Sequence, residues 1–463
     1  MTSAPMRSNS PRPPIDFAGS KIHLGLLTTL LVLLALLGGY SRYDTSLLVI
    51  LRPLLMLVAA GFLLLRADDM RNAARVPMLL LAVLGTLIAL QLVPLPPAVW
   101  TALPERSGYK EAATWIGRSQ PWRPLTLVPV LTWNSLMALL PAGTMMIAFS
   151  RLNRGKLRFC ITAILVMGIA SALLGVLQIG TGTGYFYRNP SVGLPTGFFS
   201  NRNHQAVFLA SLLPLLAIWA EYSHHATPLI GRRIAAGAVT TLFAVTILIT
   251  GSRTGLLLMV LNVAGAGWFV WRAPSSSGSV RGMLPLIALA GVLAVLIGAA
   301  VYLGRGGGIS RLASLDAGAE MRVRAWPVLR ELVATYLPWG SGFGTFDPVF
   351  RVHEPDALLK PSFFNNAHND LIELAITGGA PALLLLAALI LWLAKRTLIA
   401  FQRCRRATSW SSSLPVAGSM MAITWLLASL SDYPLRTPLA GALFAFACCV
   451  LATEGTARDA RRL

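Results

Sequence analysis

A single histidine lies in a dense polar run that ends where an apolar segment begins. The run reads Asn365-Asn366-Ala367-His368-Asn369-Asp370. Asparagine and aspartate at a helix start cap its free N–H groups, and the helix dipole there disfavours a protonated imidazole, so His368 is expected to stay neutral near pH 7 and to accept a proton. His368 is therefore a candidate general base, supported by Asn369 and Asp370; the alternative is a histidine that only caps or hydrogen-bonds.

Two arginines stand where other apolar segments begin. One is Arg253, in the short turn Gly251-Ser252-Arg253-Thr254-Gly255, and the other is Arg202, in Gly197-Phe198-Phe199-Ser200-Asn201-Arg202-Asn203-His204. A guanidinium at membrane depth either extends to lipid phosphate or holds an anionic ligand bidentately. Both interpretations stay open for Arg253. For Arg202 the alternatives are a direct ligand role and a segment that only caps the helix and anchors it at the interface. Asn203 is expected to cap the helix that follows.

A third group combines arginines, tryptophans and glycines. Arg322-Val323-Arg324-Ala325-Trp326 is followed by Pro338-Trp339-Gly340-Ser341-Gly342-Phe343-Gly344. Arg322 and Arg324 are two residues apart and would not share a helix face, so at most one is expected to point into a site. The glycines follow no predicted strand, which excludes a dinucleotide-binding fingerprint. They instead predict a tight turn near a bulky ligand.

Membrane helices must position these residues, because the composition is that of an integral membrane protein. Of the 463 residues 55% are hydrophobic and 12% are charged, and the mean hydropathy is positive. Apolar runs near twenty residues recur along the chain, which is the signature of transmembrane helices. The predicted fold is all-α, with about twelve such helices in one membrane domain. They are predicted at 21–40, 46–65, 77–95, 131–149, 158–179, 205–220, 233–250, 255–271, 283–303, 371–394, 416–431 and 438–453.

The formal net charge of +21 follows a positive-inside pattern. Basic residues cluster beside short loops on one side, as at Arg151, Arg154, Lys156 and Arg158, which places both termini in the cytoplasm. A nucleic-acid partner is not expected, because no long soluble segment would display the charge. The opposite side receives three long loops, at about 96–130, 180–204 and 304–370. Long loops commonly carry function, so the chemistry is expected on that side.

The predicted division of the chain is simple. Residues 1–20 form a disordered cytoplasmic tail, 21–453 the transmembrane domain with the long loop at 304–370, and 454–463 a second cytoplasmic tail. Gly378, Gly379 and Pro381 interrupt one apolar segment and predict either a broken helix beside a cavity or an ordinary kink. Arg52 is the main charge predicted inside a helix.

Neither disulfides nor cofactors are expected. The four cysteines, Cys160, Cys404, Cys448 and Cys449, fall in predicted helices or on the cytoplasmic side, so no disulfide framework is predicted. The external loops contain no H-E-x-x-H motif, cysteine set or carboxylate cluster, so no metal is expected. His353, His368 and Asp370 are the residues that could otherwise be combined into a metal site.

The motifs together resemble the bacterial O-antigen ligase and O-antigen polymerase superfamily over roughly residues 190–395. The ordered set is G-F-F-S-N-R-N-H, T-G-S-R-T-G, R-V-R-A-W, P-W-G-S-G-F-G-T-F and N-N-A-H-N-D before G-G-A-P. The resemblance implies a metal-independent, inverting glycosyltransferase of the bacterial inner membrane. It makes His368 the proposed base and assigns Arg253 and Arg322, with Arg324 as the alternative register, to the diphosphate. Asp370 departs from the family's usual hydrophobic or aromatic residue, which leaves its role open.

The resemblance also implies the substrates. The donor would be a glycan on undecaprenyl diphosphate, presented at the periplasmic side of the bilayer. The acceptor would be lipid A-core in a ligase, another lipid-linked repeat in a polymerase, or a protein in related enzymes; the H-N-D-L-I-E variant favours a polymerase slightly. The competing hypothesis is a transporter or flippase of lipid-linked glycan, which would need the helices and a cationic cavity but no catalytic residue.

Overall fold

The computed structural model describes residues 17–65, 70–187, 192–222, 228–273, 317–359 and 365–453, with the backbone alone for 17–20 and 317–323. These ranges are helical except for loops and one short two-stranded antiparallel ribbon, in which Pro94 pairs with Pro124 and Leu95 with Arg123. The predicted segment 283–303, residues 1–16 of the first predicted tail and the whole second tail at 454–463 lie outside the described residues. The all-α prediction is confirmed for the part that is described.

The helices and strands are numbered in chain order. They are α1 (Phe17–Leu37), α2 (Leu47–Leu64), α3 (Arg71–Leu90), β1 (Pro94–Leu95), α4 (Pro97–Trp100), α5 (Ser107–Trp115), β2 (Arg123–Pro124), α6 (Pro129–Met137), α7 (Leu140–Ser150), α8 (Arg154–Thr181), α9 (Arg202–Tyr222), α10 (Leu229–Thr250), α11 (Arg253–Arg272), α12 (Ala317–Tyr336), α13 (Phe346–His353), α14 (Asp370–Arg406), α15 (Trp410–Ala428) and α16 (Pro438–Leu451). Two 3₁₀ turns cover Asp356–Leu358 and Pro434–Arg436.

Within the described ranges, nine helical segments are long and apolar enough to cross a membrane, and two shorter apolar helices, Lys21–Leu37 and Pro438–Leu451, accompany them. These eleven correspond to eleven of the twelve predicted segments. The first helix begins at Phe17 rather than at residue 21. The chain is therefore a multi-pass membrane protein, although a count of twelve is not established.

Two helices differ from the prediction in ways that side-chain chemistry explains. The predicted segment 131–149 consists of α6 and α7, which are separated at Ala138 and Leu139, just before Pro141. Pro141 lacks the N–H that would bond to the carbonyl of Met137 four residues earlier, and its ring crowds that carbonyl. The helix predicted to end at 394 continues to Arg406. Its last turns are basic, so hydropathy does not detect them, but they contain no proline or glycine to stop a helix.

Helix α9 is the centre of the bundle. Nearly all of its side chains are buried, and it packs against α8, α10, α11 and α15. A helix that is apolar on all faces suits such a position. A Cβ atom on Gly255 would collide with Ala206, so the first turns of α9 and α11 approach closely only because residue 255 is glycine. This contact holds the helix starts that carry Arg202 and Arg253 side by side.

The predicted break in the 371–394 segment is present in α14. Gly379 has φ 64° and ψ −160° inside the helix, a conformation that glycine adopts without a steric penalty. The loop before α13 fills the break: Ser341 N donates to Ile376 O at 2.9 Å, Gly342 N to Thr377 O at 3.0 Å, and Ala380 N to Pro338 O at 2.8 Å. Freed helix carbonyls and N–H groups therefore find partners in the loop.

The glycine-rich loop forms the predicted tight turn. Gly340, Gly342 and Gly344 all have positive φ, as expected of a tight turn. Gly340 and Gly342 pack against protein atoms, whereas Gly344 is among the residues that line a cavity of about 300 Å³. A Cβ on Gly340 would collide with Thr377 O, and one on Gly342 with the Thr126 side chain. The glycines permit close backbone packing against α14.

Candidate functional site

His368 lies at the start of α14 in a strained backbone conformation. Its φ is +50°, which is uncommon for a residue with a side chain and occurs often at functional sites. Asn369 is the N-cap of α14: its Oδ1 accepts hydrogen bonds from Leu371 N at 3.0 Å and Ile372 N at 3.1 Å. The Asn369 amide also donates to Leu430 O at 2.9 Å. These bonds fix the backbone on which the histidine is carried.

Asp432 is the principal partner of His368, and sequence reasoning missed it. The Oδ1 atom of Asp432 lies 3.3 Å from Nδ1 of His368. The Asp432 side chain is 7% exposed and that of His368 is 21% exposed. A buried carboxylate that accepts the Nδ1–H proton selects the tautomer whose Nε2 carries the lone pair. The sequence signal that could have indicated Asp432 was a carboxylate in the short 429–437 connection, which is predicted on the same side of the membrane as His368.

Polar groups from α9 hold the other oxygen of Asp432. Nδ2 of Asn203 donates to Oδ2 at 3.1 Å, and Nδ2 of Asn201 lies 3.3 Å away. The helix cap is also Asn201, because its Oδ1 accepts from Asn203 N at 2.8 Å. The prediction that Asn203 caps α9 was therefore wrong. The helix begins at Arg202, so the cap is Asn201, two residues earlier. Asn203 instead orients the carboxylate.

Aromatic rings close the site on one side. The ring of Tyr433 lies 4.9 Å from that of His368 and 5.5 Å from that of His204. His204 is fully buried, and its Nε2 is 3.7 Å from Oδ2 of Asp432. His204 has no exposed surface. It belongs to the packing that fixes Asp432.

Arg436 binds the other side of the His368 loop and gives Asp370 a role. Its Nε lies 3.0 Å from Oδ1 of Asp370, and its Nη1 lies 2.6 Å from Oε1 of Glu373. The second oxygen of Glu373 accepts from Ala367 N at 2.9 Å. Burial alone would lower the pKa of Arg436, but the two carboxylates outweigh it, and the net pKa is raised. The connection between α15 and α16 thus holds His368 through both Asp432 and Arg436.

Arg202 and Arg253 stand at neighbouring helix ends. Nη1 of Arg202 donates to Thr250 O at 3.0 Å, in the last turn of α10. Arg253 is exposed at the first position of α11, directly after the N-cap Ser252. The next residue, Thr254, shares a hydrogen bond of 2.8 Å with Ser431, the residue before Asp432. This bond brings the α10–α11 turn to the loop that carries Asp432.

The third predicted arginine position is only partly described. Arg324 is exposed on α12, whereas the side chain of Arg322 lies outside the described part of the structure. The next residue, Ala325, belongs to a buried apolar cluster that includes Ala367, the neighbour of His368. α12 therefore packs beside the histidine loop, but the register of the two arginines stays a prediction.

Two cavities adjoin the histidine loop. A small one, of about 20 Å³, touches Asn203, His204, Thr254 and Asp432. A larger one, of about 300 Å³, opens on the other side of the loop, where Asn365, Asn366, Glu373 and Arg436 are among its lining residues. No group of three or more His, Cys, Asp or Glu side chains suited to a metal ion occurs among the described residues.

Comparison with known proteins identifies the family of the central part of the chain. Residues 238–387 match the Wzy_C family model, described as O-antigen ligase. This range contains Arg253, Arg322, Arg324 and His368, but it excludes Arg202 and Asp432. A search of curated proteins found no match. The family model supports a membrane-bound, glycosyltransferase-like function in O-antigen assembly. The resemblance seen in the motifs is thus confirmed over residues 238–387, which are similar to the O-antigen ligase family.

Proposed function

We propose that this protein is a glycosyltransferase that moves a glycan from undecaprenyl diphosphate to a sugar hydroxyl of an acceptor, with inversion and without a metal. The observation that carries the proposal is the pairing of His368 with the buried Asp432 at 3.3 Å. The family match supports the reaction class. The acceptor is lipid A-core in a ligase or a lipid-linked repeat in a polymerase.

In the proposed reaction His368 is the general base. Its Nε2 takes the proton of the acceptor hydroxyl while the hydroxyl oxygen attacks the anomeric carbon of the donor. The bond between that carbon and the phosphate oxygen breaks, and its electron pair leaves with the lipid diphosphate. One displacement inverts the anomeric centre. Asp432 holds the imidazole in the required tautomer and stabilises the imidazolium that forms.

The leaving diphosphate gains negative charge as the bond breaks, and arginines are suited to stabilise it. Arg253 and Arg202 stand at helix ends next to the Asp432 loop, and Arg322 or Arg324 would approach from α12. Guanidinium groups bind phosphate oxygens bidentately and never deprotonate at neutral pH. Their effect is strongest where water is excluded.

The proposed location is the inner membrane, with the His368 end of the bundle facing the periplasm and both termini in the cytoplasm. The positive-inside distribution of basic residues supports this orientation. An end that faces the periplasm would receive lipid-linked glycan from the outer leaflet of that membrane. Transfer there would serve the assembly of surface polysaccharide or lipopolysaccharide.

Reconstitution in vesicles with lipid-diphosphate glycan and acceptor tests the proposal. Wild-type protein is expected to form a glycosidic bond, and His368→Ala is expected to lose about 10²- to 10⁴-fold in rate, the usual contribution of a general base. His353→Ala is the matched control, because His353 bonds within its own helix, to Val349 O. Full transfer by His368→Ala would refute the base assignment. Lipid-linked glycan that crosses the bilayer without any bond formation would favour the transporter instead.

A further inference from the structure

Arg52 differs from the other charged residues that line the larger cavity. Its Nη1 donates to Oδ1 of Asn134 at 2.8 Å, and no carboxylate partner occurs within the described residues. It lies five residues into α2, about 8 Å along the helix from its start, within a segment apolar enough to cross a membrane. Its Nη2 lies 3.5 Å from the backbone O of Asn134. A guanidinium at such a position, with neutral oxygens as its described partners, is costly unless an anion joins it.

The remaining charges of this cavity are compensated. Arg42 pairs with Asp44 at 2.7 Å, Asp347 with Arg351 at 2.8 Å, and Arg436 with two carboxylates. Among the described residues, no carboxylate pairs with the positive charge that Arg52 brings to this cavity. Its polar lining also includes Tyr40, Tyr43, Asn365 and Asn366, which are groups that can hydrogen-bond or stack on a sugar.

An apolar slot continues from this cavity. It has a volume of about 260 Å³ and runs between α3, α7, α14 and α16, where leucines, Trp392 and Phe444 line it. Five residues line both spaces: Leu84, Ala138, Leu139, Leu374 and Leu435. A ligand with a charged head and a long apolar tail would fit both spaces at once, whereas a free anion would leave the slot unused.

We infer that the larger cavity binds the acceptor substrate, as a lipid whose head carries phosphate: the phosphate pairs with Arg52, and the tail enters the apolar slot. The inference rests on the proposed function, in which two lipid substrates must reach one base. The donor arginines Arg202 and Arg253 lie on the α9 side of the His368 loop. Arg52 lies on the side where Asn365 and Asn366 lead into that loop, so the second substrate approaches from there.

Binding to the purified full-length protein tests the site directly. The probes are undecaprenyl phosphate, undecaprenol with the same tail but no charge, and inorganic phosphate with no tail, each followed by native mass spectrometry. Wild type is expected to bind two undecaprenyl phosphates, one at each side of the loop, and Arg52→Gln one. The affinity of the lost site should fall about 10- to 150-fold, the worth of a charge-assisted hydrogen bond. Two undecaprenyl phosphates bound by Arg52→Gln at unchanged affinity would overturn the inference.

Two controls make this result specific. Arg42→Gln removes a cation of the same cavity that already has a carboxylate partner. The affinity of this variant for undecaprenyl phosphate should differ from that of the wild type by less than about threefold. Arg52→Lys keeps the charge and should retain two bound lipids, which shows that any loss in Arg52→Gln is not misfolding. A lipid phosphate at Arg52 would be contradicted if Arg42→Gln and Arg52→Gln lost equal affinity for undecaprenyl phosphate. It would also be contradicted if undecaprenol or inorganic phosphate bound to the wild-type protein as tightly as undecaprenyl phosphate does.

Kinetics assign the bound lipid to a substrate. Arg52→Gln is expected to raise the KM for the acceptor about 10-fold or more and to leave the KM for the donor unchanged. A rise in the donor KM alone would place the donor in this cavity and overturn the assignment. If wild-type protein forms no glycosidic bond, the proposed function fails, but the binding experiment still decides whether Arg52 holds a lipid phosphate.

Discussion

Replacement of Asp432 by asparagine tests the proposed base in most detail. The two carboxylate oxygens of Asp432 have different partners. Oδ1 faces Nδ1 of His368, and Oδ2 accepts from the side-chain amides of Asn201 and Asn203. Asparagine has one acceptor oxygen and one donor group. It can therefore accept from the histidine or from the two amides, but it must turn an NH₂ group towards the other side.

The expected loss follows from what the carboxylate supplies. A hydrogen bond that involves a charged group contributes about 1.5–3 kcal/mol, which corresponds to roughly 10- to 150-fold in rate at 1.36 kcal/mol per factor of ten. Loss of the correct histidine tautomer lowers the rate further, by up to about 10⁴-fold in total where the histidine is sealed from water. His368 is 21% exposed, so water moderates the effect. We expect kcat to fall about 10²- to 10³-fold.

The assay is steady-state transfer in vesicles, with donor and acceptor varied separately. The loss should appear in kcat, because Asp432 acts through His368 and does not bind the donor. Asp356→Asn is the control, since it removes an exposed carboxylate near the same loops and should change kcat less than about twofold. A fall of less than about threefold in Asp432→Asn, or a change confined to the donor KM, would refute the role given to Asp432.

Three further predictions concern stability and the donor. Arg253→Gln should raise the KM for the lipid-diphosphate donor about 10-fold or more and leave the acceptor KM unchanged; equal changes in both would contradict the donor assignment. Arg436→Gln leaves the buried Glu373 and the partly exposed Asp370 without their cation, which should cost about 3–5 kcal/mol and lower the thermal unfolding midpoint in detergent; an unchanged midpoint would argue against the ion-pair network. Gly379→Ala places a Cβ atom against Pro338 O at positive φ and should cost about 1–3 kcal/mol, whereas Gly237→Ala, with open space around it, should leave the midpoint unchanged or raise it slightly.

The helices were the most predictable part of the fold. Apolar runs mark a membrane helix because lipid demands apolar side chains along its whole length. The same criterion cannot detect the basic end of α14 at Arg406, because its charged residues lower the hydropathy below that of a membrane helix. It also cannot detect the separation of α6 from α7, because a two-residue break leaves the mean hydropathy of the segment unchanged. The break at Gly379 was predictable because glycine and proline act on the backbone locally.

The site was predictable only where its signal is local. Asn369 caps the helix that follows it within three residues, so its type and position were sufficient. Asp432 lies 64 positions from His368, and no periodicity relates the two. Arg436 was missed for the same reason, and the role of Asp370 could not be assigned without it. Asn203 was misassigned because Asn201 and Asn203 are both good caps, and only the start of α9 distinguishes them.

The 429–437 connection has a consequence for the synthesis of the protein. It supplies Asp432, Tyr433 and Arg436, and it follows the whole 238–387 domain in the chain. A ribosome that has delivered the histidine loop into the membrane has therefore not yet made the groups that orient it. The nascent chain can insert most of its helices while the proposed base stays unorganised. The proposed site is then completed late, when α15 and α16 bring their connection against α9 and α14.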